Sequence, residues 1–200
     1  MDPSTALIID LSDFCTTIGS STAAMEALEG LHRDLKLAVS SHLGLQLVLL
    51  TKGVPVTLTM FGPGVVYSDI ATCLHLPLAD DPVNAEPGSA VTFYAATPGA
   101  FVDLAADLSY LHARQHPAPP GSEAVASGIR LDQDLRPTTL TSGLAGVAEV
   151  STLNQAIGVL IEQGYEPDHA HHEITRRATV AGVTVLVCAA ELLHSLYTHD

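Results

Sequence analysis

Apolar residues recur every three or four positions in the first quarter of the chain, at Met25, Leu28, Leu31, Leu35, Val39 and Leu43, with Glu26, Glu29, Arg33 and Lys36 between them. That period predicts an amphipathic helix over residues 22–43, closed by Gly44. Two apolar runs follow, Leu45 to Thr51 and Val54 to Phe61, and the Lys52-Gly53 pair between them predicts a tight hairpin. Beyond Gly62-Pro63-Gly64 lie two more strand-like runs, Ala71 to Leu78 and Ala90 to Ala96, separated by the acidic surface loop ADDPVNAEPGS. Thr97 as cap and Pro98 at the first helical position predict a helix to about Arg114, with Phe101, Leu104, Ala105, Leu108 and Leu111 facing inward. A helix, antiparallel strands and a closing helix make an α+β arrangement of one sheet with helices on one side.

The pattern then loosens and recovers. Pro117, Pro119, Pro120 and Gly121 mark a linker, and residues 122–146, with Ile129, Leu131, Leu135, Leu140 and Leu144, are too apolar to be wholly disordered. They are expected to pack against the first domain, although no element can be assigned to them. From Val150 the helical period returns with Leu153, Ile157, Leu160 and Ile161, stopped by Gly164. A second short helix opens at Pro167 and spaces Ala170, Ile174 and Ala178 four apart before Gly182. A third, capped by Thr184, sets Val185, Cys188, Leu192 and Leu196 on one side with Ala189 beside them. Helices this short must pack together or against a partner.

Within this last stretch the order Gln155-Ala156, Gly158, Leu160, Gly164, Ala170, Ile174, Arg176, Ala178 and Ala189-Ala190-Glu191 resembles the ANTAR domain, the RNA-binding module of bacterial transcription antitermination regulators. The resemblance implies a three-helix domain that binds paired RNA hairpin loops as a dimer, so that a terminator cannot form. It places RNA contact at Gln155, Ala156, Gly158, Arg176, Arg177, Ala178 and Ala189. Read from the residues alone, the small ones allow a helix backbone to approach either RNA or another helix, and they equally suit a tight core. The family's usual Lys and aromatic positions hold Ile157 and His171 here.

Upstream, Val91-Thr92-Phe93-Tyr94-Ala95-Ala96-Thr97-Pro98-Gly99-Ala100-Phe101, running from a last strand into a last helix, resembles the GAF sensory domain. GAF domains are commonly fused to ANTAR domains. The expected organisation is a shortened GAF-like domain over 1–116, a linker and packing segment over 117–147, and an ANTAR-like domain over 148–200. Only Gly62 to Ile70 separates the second and third strand runs, leaving out the segments that usually wall a GAF pocket. No cofactor and no small-molecule ligand is expected.

Charge changes the functional picture. The chain has 22 acids against 8 bases, a formal net charge of -14, and no Lys or Arg between Lys52 and Arg114. Such a surface repels nucleic acid and anionic membrane. From Glu149 to the end stand seven acids against two bases, Arg176 and Arg177. RNA affinity draws on Lys and Arg at phosphates, so this balance favours the alternative of a protein-interaction or dimerisation module that no longer binds RNA. The start, MDPSTALIID, has no basic n-region, and no run of about 18 apolar residues occurs, which points to a cytoplasmic protein without a membrane span.

Candidate chemistry is sparse. Cys15, Cys73 and Cys188 are scattered and suit reduced thiols. Asp10 and Asp13 are too local to make an acid–base pair, and no phosphate loop, nucleophile elbow or metal signature occurs, so no enzymatic activity is expected. His169, His171, His172 and Glu173 form a cluster in which His169 and His172 share a face. The cluster could hold a transition metal with a further ligand, attract an anion when protonated, or simply be solvated. Arg176-Arg177 could contact phosphate or be an ordinary surface pair. The long first helix and the short C-terminal helices lead us to expect a homodimer.

Overall fold

The computed structural model describes residues 21–78, 86–115, 128–132 and 135–197. Cys15, Asp10, Asp13, the linker prolines and most of the acidic loop lie outside these residues, as do the side chains of Met25, Leu28 and Leu111. The protein is mixed α+β, with a six-stranded antiparallel sheet and five α-helices among the described residues. Contacts divide it into two compact units: one runs to Gly53 and from Thr57 to Leu144, and the other combines Val54–Val56 with the chain from Ala145 onward.

The sheet unit begins with α1 (Ser21–Ala38). Strands β1 (His42–Thr51), β2 (Val54–Phe61), β3 (Thr72–Pro77), β4 (Ala90–Ala95), β5 (Arg130–Leu131) and β6 (Gly143–Ala145) assemble in the order β5-β3-β4-β1-β2-β6. Helix α2 (Val102–Gln115) follows β4. Antiparallel pairing stacks Leu45, Phe93 and Leu74 across three strands, and Leu47, Val91 and Leu76 beside them. These ladders form one face, and Leu31 and Leu35 of α1 bury against it together with Phe101, Leu104 and Ala105. Alternation sends the next residues to the opposite face, where Gln46, Thr92 and His75 align. That row is polar and largely buried, so it must be hydrogen-bonded. Gln46 donates to Thr59 Oγ1 at 3.2 Å and Thr138 Oγ1 at 2.9 Å, and His75 Nδ1 shares a bond with Thr92 Oγ1 at 3.0 Å.

Three expectations need correction. Helix α1 stops at Ala38, five residues short of Leu43, because residues 42–48 pair with β4 and the sheet captures Leu43. Gly44 is therefore a strand residue rather than a helix stop: a Cβ there would lie 2.3 Å from the Met60 carbonyl oxygen, so glycine is what lets β1 and β2 come this close. Helix α2 starts at Val102 rather than after Thr97, because Gly99 takes a left-handed φ of 75° and turns Thr97–Phe101 into a tight loop. The segment left unassigned in sequence supplies the two short edge strands, β5 and β6.

Other readings hold. β2 spans the expected residues, and Lys52 and Gly53 both have positive φ, 52° and 77°, as a type I′ hairpin turn requires. Glu86 secures that turn by accepting from the backbone N–H groups of Lys52 and Gly53. Among the described residues, Cys73 and Cys188 form no disulfide and are buried.

Candidate nucleic-acid interface

The helical unit is built from α3 (Val147–Glu162), α4 (Pro167–Ala181) and α5 (Val185–Tyr197). Its boundaries follow local chemistry. Gly146 precedes α3 with φ 89°, and a Cβ on it would lie 2.1 Å from the Pro55 carbonyl oxygen. At the other end Gly164 has φ 97°, with Gly164 N–H on Ile161 O and Tyr165 N–H on Leu160 O, which is a Schellman closure. Pro167 opens α4, and Gly182 closes it in the same manner through Val183 N–H on Ala178 O. Thr184 caps α5 by accepting the Val187 N–H at 3.2 Å.

Leu153, Ala156, Ile157, Leu160, Ala170, Ile174, Ala178, Cys188 and Ala189 form the core of this unit, together with Val54. Three of the residues singled out from sequence, Ala156, Ala178 and Ala189, are thus enclosed between the helices. Their small size serves helix–helix approach, and their side chains face no solvent. The remaining four stay accessible. Gln155 is exposed and bonds Ser151 Oγ at 3.2 Å, while Gly158 is half-exposed. A methyl built on Gly158 meets nothing within 4 Å, so packing inside the unit does not require a glycine there.

Arg176 and Arg177 converge on a single carboxylate. Arg176 donates from Nε to Glu173 Oε2 at 2.7 Å and from Nη2 to Oε1 at 2.8 Å, while Arg177 Nε donates to Oε1 at 2.8 Å. The bonds from Arg176, then Arg177, hold the Glu173 carboxyl down to about 2, and the same contacts raise both guanidinium pKa values. The sequence reading counted Glu173 only among the acids and in the histidine cluster. Its spacing of three and four residues before the arginines was the available signal.

The histidines do not converge. His172 Nδ1 donates to the Asp168 carbonyl at 2.7 Å, His171 Nε2 is buried without a hydrogen-bond partner, and His169 is exposed. Among the described residues no three His, Cys, Asp or Glu side chains are grouped to hold a metal ion. In the sheet unit a cleft of about 240 Å³ is lined by Thr72, Cys73, Asp132 and Arg136 among others, and Thr72 Oγ1 donates to the Asp132 carboxylate there. Among the described residues no single helix is long and apolar enough to cross a membrane; α4 and α5 pass on length and composition only as a pair bent by 102°.

Fold and site together define a sheet unit joined to a three-helix unit that presents two arginines on one helix. No family model matches the chain, and neither a curated protein nor a solved structure matches it.

Proposed function

We propose that this chain is a cytoplasmic two-part regulator whose helical unit, an ANTAR-like domain, binds RNA hairpins to control transcription termination, with the sheet unit as a reduced GAF-like sensory domain. The observation that carries this reading is the pair of guanidinium groups meeting at one oxyanion, since a fork of this kind also suits phosphate. Gly158 adds support. A mid-helix glycine costs roughly 0.5–1 kcal/mol relative to alanine, and with no internal need for it the gap in α3 is available to an outside backbone.

The test is hairpin-RNA binding at low salt by the full chain. Replacing Arg176 and Arg177 with Ala should remove nearly all binding, and the parent's slope of log affinity against log salt should be no steeper than roughly -1.8, the limit for two phosphate contacts. Gly158→Ala should stabilise α3 yet weaken binding. If the double arginine variant binds as well as the parent, this electrostatic account is wrong.

A second reading is favoured by α5. Its inner side carries Val185, Leu186, Cys188, Ala189, Leu192 and Leu193, yet Val187, 44% exposed, and Ala190 are apolar on the other side. A helix apolar on both sides implies a further contact, and a second copy of the chain would make the unit a dimerisation module. Dimer mass by light scattering, with no RNA bound by any variant, would select this reading.

A further inference from the structure

Resting on the RNA reading above, we infer that Glu173 is an internal oxyanion that occupies the Arg176–Arg177 pair until an RNA phosphate displaces it, and so sets the affinity of the interface. One helical turn separates Glu173 from both arginines, so the contact forms within α4. Arg176 engages it through two parallel N–H groups, the arrangement a guanidinium adopts on a phosphate, and Oε1 takes a third bond from Arg177. The carboxylate is the inner partner, with its side chain 13% exposed, while Arg176 is 63% and Arg177 34% exposed. An incoming phosphate therefore meets the guanidinium groups first. Ion pairs at a protein surface are weak, and exchange needs only side-chain rotation, so a backbone phosphate of equal charge can take the carboxylate's place, favoured by counterion release from the RNA. One carboxylate against two cations leaves a net charge of about +1 for phosphate, which accounts for a cationic site within so acidic a unit.

Glu173→Gln keeps the shape and removes the charge. In the full chain this variant should bind a hairpin RNA about three- to tenfold more tightly at low salt, because a like charge next to the phosphate is gone. Its salt slope should steepen by roughly 0.7–0.9, one further phosphate neutralised. Adding Arg176→Ala and Arg177→Ala to E173Q should abolish the gain. If the parent binds RNA and E173Q binds equally or less well, Glu173 positions the arginines instead, and the inference is overturned. If neither binds RNA, the RNA reading fails by itself. The internal-anion inference is then decided with inorganic pyrophosphate, followed by arginine Nε NMR shifts: tighter binding by E173Q supports it, and equal binding overturns it.

Discussion

Acid should loosen the sheet unit through His42. The imidazole is 8% exposed, its Nε2 lies 3.2 Å from His32 Nδ1, and its Nδ1 is buried with no hydrogen-bond partner. A proton on Nδ1 would be an unsatisfied buried donor, so the neutral tautomer carries its hydrogen on Nε2 and donates to His32. Charging the ring requires that missing acceptor. Burial first, then His32 and Lys36, push the His42 pKa down to about 3, and His32 is lowered too, by burial and Lys36. Because the folded pKa lies below the unfolded value, the unfolded chain binds more protons between pH 6.5 and 3, and stability falls as pH drops through that window. With an unfolded value near 6.5, His42 alone removes about 2 kcal/mol between pH 7.5 and pH 5. Denaturant unfolding followed by far-UV circular dichroism at pH 7.5, 6 and 5 measures this. Ordinary carboxylates titrate mainly below pH 5, the lowest pH sampled, and His42→Leu isolates the residue from the other histidines. The variant should lose most of the pH slope. Equal slopes in parent and H42L would refute the assignment.

Further expectations are local. Gly44→Ala should destabilise the sheet unit by about 1–3 kcal/mol in chemical unfolding, since its methyl meets the β2 backbone and the strands must part. Ile174→Ala, in the helical core, should cost about 2–5 kcal/mol, read from the same transition; a change under about 1 kcal/mol would mean that α4 is not packed as described. Thr184→Ala should cost about 1 kcal/mol through loss of the α5 cap, and Thr184→Ser should restore most of it.

What the sequence determined by itself is the local part of this protein. Gly164 and Gly182 stop α3 and α4, Pro167 opens α4 and Thr184 caps α5, because each depends on backbone conformation or hydrogen bonds within a few residues. The spacing of Ala170, Ile174 and Ala178 identified the buried face of α4 for the same reason. Tertiary structure decided the remainder. Leu43 continues the helical period, yet it lies in β1, because the pairing partner of that strand stands some fifty residues away in β4, and no local period registers it. β5 is two residues long and depends on β3 for its hydrogen bonds. At the candidate interface, the small residues divided into three alanines enclosed by neighbouring helices and a glycine left half-exposed. Burial is a property of what packs alongside, so small size alone did not decide it. The arginines likewise read as free cations until side-chain geometry placed both on Glu173.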